Sequence, residues 1–409
     1  MEYQVHTFSN NIRLVYKQSF HTRIVHSGIF IDTGSRDEKA NEVGLAHLLE
    51  HMLFKGTQKR NPHQVINRLE VVGGDLNAYT TKDKTCVYAS VVKEHFGRAI
   101  ELLVDVTFNS TFPTKELAKE KKVIYEEIDM YLDSPDEKIF DEFQELFYPN
   151  HTLGNNILGS KETVASFSTQ NLNDFIFNNY FGNEILMVVV APISFNQVLK
   201  TCSRYLEALP TKTGKKIRTA PSIAPVFTEI KNDSFSQAHV LMGGNAFALN
   251  HDKRHVLMLL SNLLGGPGMN SLLNLQLREK HGYTYGVECA YQALTDTGLV
   301  SIYWSTDPKN LTKSRKAIDT TLYKLIDKEL TPAQLKKYKT QFKGQMVMAE
   351  ESNSSMMFVL GRSLLDIGTV DSLEHILSRI DAVTATDLRE VAEEVLNPAM
   401  MSTLIYHPG

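Results

Sequence analysis

The chain has 409 residues, more than one hydrophobic core usually organises, so two domains or more are expected. Hydrophobic residues make up 42% and charged residues 22%, an ordinary globular balance, and the net charge of −4 offers neither a basic footprint for nucleic acid nor a polybasic patch for a membrane. No apolar run approaches the roughly 18–20 residues of a membrane span.

The N-terminus, Met1-Glu2-Tyr3-Gln4-Val5-His6, lacks the basic and apolar regions of a signal peptide, so none is expected. Cys86, Cys202 and Cys289 are an odd set without C-x-x-C spacing. Neither a disulfide framework nor a cysteine metal site is indicated, and the expected compartment is a reducing cytosol.

Strand-like alternation opens the chain at Ile12 to Tyr16, and a second strand follows from Ile24 to Thr33, closed by Gly34-Ser35. A helix is predicted from Gly44 to Phe54, stopped by Lys55-Gly56. It carries His47-Leu48-Leu49-Glu50-His51. Two histidines one turn apart lie on one helical face and can reach a single metal ion, while Glu50 stands beside that face as a base for an attacking water. The order is H-x-x-E-H, the inverse of the H-E-x-x-H metalloprotease helix. A solvated surface helix is excluded by Leu45, Leu48, Leu49, Met52, Leu53 and Phe54 around the histidines. Buried imidazoles need partners for their ring nitrogens, and two at ligand spacing favour a metal over a satisfied core.

Further helices are expected from Asn61-Pro62 to Gly73-Gly74, over 94–108 and over 114–133, with a strand from Thr85 to Val92 between them. Two histidines leave a catalytic zinc one protein ligand short, commonly a carboxylate. Glu120 and Glu127 share a face of the 114–133 helix, so one can bind the metal while the other orients a ligand. Spacing alone leaves Glu126 open as well. Leu186 to Val190 reads as a buried strand, followed by a helix ending near Leu209-Pro210.

Residues 211–225 have the composition of a linker. The first half's order then recurs: strand His239 to Gly243, helix 251–264, strands Tyr285 to Ala290 and Gly298 to Trp304, a helix, and a long helix from Thr331. The fold class expected is α+β: two homologous domains from an internal duplication, 1–210 and 226–409, each a mixed or antiparallel sheet packed with helices, together enclosing a cavity. Aligned copy to copy, His47, Glu50 and His51 face Leu257, Leu260 and Ser261, while Glu120 and Glu127 face Tyr338 and Gln345. The second copy keeps the apolar helix and loses every metal-binding group.

His47-Leu-Leu-Glu-His-Met-Leu-Phe-Lys-Gly-Thr57 closely resembles the zinc helix of the pitrilysin/insulinase family, on the branch of mitochondrial processing peptidase and its bacterial relatives. The resemblance covers essentially the whole chain. It implies Zn²⁺ held by His47, His51 and Glu127, with Glu50 as general base and Glu120 behind a ligand. Gly73 to Thr80 resembles the family segment leading into the edge strand that pairs with substrate backbone, which implies substrate contacts near Asn77 and Ala78. In the second half, Gly265 to Ser271 followed by Leu277 to Tyr285 resembles the other family signature, in which the equivalents of Arg278 and Tyr285 serve the active site from the inactive domain.

The resemblance implies a zinc endopeptidase of short or unfolded peptides. A complete zinc site and a glycine-rich loop on one chain suit a bacterial, cytoplasmic homodimer. The rival expectation is a non-catalytic structural subunit of the same family; such relatives lose metal ligands, and all are present here.

Overall fold

The structure is a computed structural model and describes residues 2–233 and 235–408. The chain forms two compact units. The first comprises Met1–Met130, Asn155–Arg218 and Glu350–Val370; the second comprises Tyr131–Gly154, Thr219–Ala349 and Asp371–Gly409.

The first unit holds β1 (Gln4–Thr7), β2 (Arg13–Gln18), β3 (Ile24–Ile31), β4 (Asp75–Thr80), β5 (Thr85–Val92) and β6 (Ile185–Ala191), in the sheet order β1-β2-β6-β3-β5-β4. Only β2 and β6 pair in parallel; every other neighbouring pair is antiparallel. Sequence and packing agree most directly in β6. It reads Ile-Leu-Met-Val-Val-Val-Ala and is buried at every position. Ile185, Met187 and Val189 enter the larger core, while Leu186, Val188 and Val190 enter a second core on the opposite face. A strand covered on both faces has no reason to alternate.

The second unit holds β7 (Thr228–Asp233), β8 (Ala238–Ala246), β9 (Val287–Ala293), β10 (Gly298–Thr306) and β11 (Ser402–Pro408), in the order β7-β11-β8-β10-β9. Here the first pair is parallel and the rest antiparallel. Matched strand by strand, this is β2-β6-β3-β5-β4 again, so the duplication is one of topology as well as element order.

One helix in each unit comes from the other half of the sequence. Asn353–Asp366 packs on β3 and β6, burying Met356, Met357, Leu360 and Leu364 against Phe30, Leu186 and Val188. Pro135–Phe147 packs on β8 and β11, the strands equivalent to β3 and β6, through Ile139, Phe143 and Phe147. A cut after residue 210 would therefore strip the first sheet of one covering helix. Residues 211–218 are tied to the first unit by Arg218, whose guanidinium lies 2.9 Å from Asp32 and 2.7 Å from Asp37. Those carboxylates outweigh its burial and hold it charged.

Both exchanged helices meet their sheets through a glycine and an aromatic ring. A Cβ on Gly361 would fall 2.5 Å from the Phe30 ring, and one on Gly243 would fall 2.6 Å from the Phe143 ring. Neither ring can retreat, because both are fully buried. We expect Gly361→Val to cost about 1–3 kcal/mol or more in chemical unfolding, as overpacked cores do. An unchanged denaturation midpoint would show that the helix does not seat on Phe30.

Candidate metal centre

The first unit's leading helices are α1 (Leu45–Met52), α2 (Pro62–Glu70), α3 (Phe96–Phe108) and α4 (Thr114–Leu132), and the candidate site lies between α1 and α4. α1 starts at Gly44, whose φ of 96° is left-handed and whose Cβ would strike the Leu158 carbonyl at 2.7 Å. Only glycine fits there without strain. The helix N-terminus is capped from a distance by Glu38, which accepts from the Gly44 N–H at 3.1 Å and from the Ala46 N–H at 2.7 Å. Burial pushes the Glu38 carboxyl up to about 8, against the pull of those two donors and Lys82.

The α1 face bearing the histidines turns towards α4. The Nε2 atoms of His47 and His51 each lie 3.5 Å from a different oxygen of Glu127. The two rings sit edge to face with centroids 4.7 Å apart. All the donor atoms fall within 4.8 Å of one another. A tetrahedral zinc with bonds of ~2.0–2.1 Å has ligand-to-ligand edges of about 3.3–3.4 Å, which the two 3.5 Å contacts approach. Burial lowers the His47 pKa to about 4, with His51 acting in the same direction, so the ring is neutral and offers a lone pair.

Glu120 supports this arrangement from behind. Its Oε2 lies 3.3 Å from His51 Nδ1, the nitrogen turned away from Glu127, and its Oε1 lies 2.8 Å from Lys55 Nζ. A carboxylate on the far nitrogen fixes the ring's tautomer and orientation. Both glutamates belong to the stripe of α4 that also buries Leu117, Ile124 and Ile128. Carboxylates in an otherwise apolar stripe require a partner, and here the histidines supply it. Glu126 is exposed.

Glu50 is half-buried on the adjoining side of α1. Burial raises its carboxyl pKa, Thr80 and His51 lower it, and Glu127 raises it. Thr80 ends β4, which packs beside α1. β4 is the last strand of its sheet and pairs with β5 alone, so its outer edge is open. Asn77 and Ala78 lie on it, and the Ala78 N–H donates to the Asn77 side chain at 2.8 Å.

Arg278 and Tyr285 lie in the second unit. The structure brings them together, with the guanidinium 5.2 Å from the Tyr285 ring centre. Tyr285 does not begin a strand as expected: β9 starts at Val287, and the tyrosine is 86% exposed ahead of it. Arg278 belongs to a π-helical turn, Asn274–Glu279, which periodicity did not foretell. Where the first unit brings α1 and α4 together through imidazoles and carboxylates, the second joins Arg254–Gly265 and the segment after it to Pro332–Glu350 through amides. Asn262 donates to Gln345 at 2.9 Å, and Asn270 and Gln341 exchange bonds at 2.8 and 3.0 Å. Tyr338, the counterpart of Glu120, is buried.

Sequence reasoning overlooked Glu38, Lys55 and Thr80. Lys55 stood inside the motif, but nothing in its spacing marked it as the partner of Glu120. Glu38 caps α1 across a turn too long for a capping-box pattern.

Two family models match the chain: Insulinase (Peptidase family M16) over residues 13–161, and Peptidase M16 inactive domain over residues 166–342. The chain is 32% identical to the uncharacterized zinc protease YmxG of Bacillus subtilis, across 99% of this chain and 98% of that one. It is 29% identical to an uncharacterized zinc protease of Mycobacterium leprae, across 96% and 88%. Two solved structures share the fold: a protease from Helicobacter pylori, with a TM-score of 0.91, 22% identity and coverage of 100% and 99%, and a Pseudomonas fluorescens structure described as peptidase M16 inactive domain, with 0.93, 18% and the same coverage. With its two M16 domains, each a mixed α+β layer, the chain belongs to the insulinase family of peptidases, M16.

Proposed function

We propose that the protein is a zinc-dependent endopeptidase acting on short or unfolded peptides. One observation carries this reading: two imidazole Nε2 atoms and one carboxylate converge within 4.8 Å, with a further carboxylate, Glu50, on the same helix as the imidazoles. Relatives named zinc proteases add support.

In this reading His47, His51 and Glu127 hold Zn²⁺, and Glu120 positions His51. The ion, when bound, supplies Lewis acidity and lowers the pKa of water. Glu50 accepts the proton of the attacking water and can return it to the leaving amine. Its burial favours both steps, because a carboxyl pKa raised towards neutrality makes a better base and a usable acid. The peptide would add to the open edge of β4, exchanging the Asn77 side chain on the Ala78 N–H for its own backbone carbonyl. Such pairing reads extension more than sequence. Arg278 and Tyr285 would stabilise the oxyanion or hold the peptide. The same reading takes the protein as a cytoplasmic, bacterial homodimer whose partners are peptides, with no nucleic acid and no membrane. The named relatives are bacterial, and among the described residues no helix is long and apolar enough to cross a membrane.

Glu50→Gln should keep its zinc and lose about 10²–10⁴-fold in turnover, because the amide fills the space but takes no proton. Zinc analysis beside a peptide-library digest checks this, and wild-type turnover would remove Glu50 from the chemistry. Among the three α4 glutamates, Glu127→Gln should empty the site. Glu120→Gln should retain metal with affinity or activity reduced about 10–100-fold, and Glu126→Gln should change neither. A metal-free Glu126→Gln beside a metal-replete Glu127→Gln would reverse the ligand assignment. Tyr285→Phe should lower kcat more than it raises KM, since a hydrogen bond to developing charge is strongest in the transition state. An unchanged kcat would take the tyrosine out of catalysis.

A further inference from the structure

The second unit contains a cavity of about 680 Å³ that the peptidase reading does not use. Its size is within the range of small-ligand pockets, roughly 300–1,000 Å³. The floor is apolar. Leu325 is buried there, Leu272 and Leu330 pack against the core from its walls, and Leu275 is 43% exposed into open space.

The charge around this floor is one-sided. Lys280, Lys324 and Lys328 line it, all exposed, and none of them forms an ion pair among the described residues. The one lining carboxylate, Glu329, is engaged elsewhere: it accepts from the Thr386 hydroxyl at 2.9 Å and has the Arg389 guanidinium at 3.9 Å. Lys324 lies in the last turn of the helix Leu311–Asp327 and Lys328 follows it, its backbone N–H donating to the Lys324 carbonyl. Lys280 lies beyond the π-helical turn. Thr331 and Gln334, which cap the start of the helix Pro332–Glu350 with each other's side chains, line the same space.

We propose that this cavity binds an amphiphilic anion, a carboxylate borne on a flexible apolar chain. The chain would lie on the leucines, and the carboxylate would meet the lysines at the rim. Leu275 and Gln276 belong to the same π-helical turn as Arg278, so an occupant touches the segment that carries that arginine. π-Helical turns are rare and recur at functional sites. Two sources share this chemistry: a free acyl carboxylate, and the C-terminus of an apolar peptide.

The test is calorimetric titration of the full-length protein with decanoate, with N-acetyl-Leu-Leu as its free carboxylate, and with uncharged decan-1-ol. At least one of the two anions should bind saturably at one site, with decanol at least about tenfold weaker. Lys280→Glu combined with Lys324→Glu and Lys328→Glu should weaken the anion about tenfold or more, since three charges of the wrong sign face it. Thr321→Trp, which puts a bulky ring into the cavity and leaves the charges alone, should do the same. Tighter binding of decanoate supports the proposal with a free acyl anion as ligand, and tighter binding of the dipeptide supports it with peptide C-termini. No saturable binding to wild type, equal binding of decanol, or affinity untouched by both sets of substitutions would overturn it. Because the readout is binding, a negative result leaves the peptidase reading standing, and loss of turnover in Glu50→Gln bears on that reading alone.

Discussion

Two imidazole nitrogens and a carboxylate meeting in a half-buried pocket are held against their own electrostatics, and much of the first unit is arranged around that meeting. His47 is neutral because it is buried, and Glu127 brings negative charge to both Nε2 atoms at 3.5 Å. The surroundings act on geometry more than on charge. Glu38 anchors the start of α1, Glu120 fixes His51 from behind, and Lys55 neutralises Glu120. These contacts hold the two imidazoles and the Glu127 carboxylate close together.

The duplicated fold keeps one scaffold while the groups between its two equivalent helices differ. Both units have the same strand order and the same single parallel pair. The second unit still ties its two equivalent helices together, but through the neutral Asn262–Gln345 bond. A paired amide satisfies its own donors and acceptors and has no need of a cation. The buried phenol ring of Tyr338 stands where the first unit keeps a carboxylate. In one copy the two helices meet through imidazoles and carboxylates, and in the other through an amide hydrogen bond.

Local chemistry was legible in the sequence wherever spacing alone determines it. The interval from His47 to His51 puts both rings on one face, and the interval from Glu120 to Glu127 puts both carboxylates on another. Strand Thr85–Val92 was readable in full from its alternation, and the apolar run in β6 gave its burial. The exchange of Pro135–Phe147 and Asn353–Asp366 between units was not legible, because an apolar helical face does not name the sheet it covers. The Phe30–Gly361 and Gly243–Phe143 contacts, which make each exchange fit, pair residues far apart in sequence. Tyr285 was misread as strand because an aromatic ahead of Val287 continues the alternation, although the pairing with β10 begins only at Val287. The π-helical turn beside it has no period that a 3.6-residue or two-residue pattern can detect.

The central claim is that His47, His51 and Glu127 form one tetrahedral zinc site. Zinc K-edge X-ray absorption of the metal-loaded, full-length protein tests it most directly. The account predicts one zinc per chain with only nitrogen and oxygen ligands at ~2.0–2.1 Å, and multiple scattering from two imidazoles. Sulfur scattering at ~2.3 Å, or the signature of a single imidazole, would contradict it.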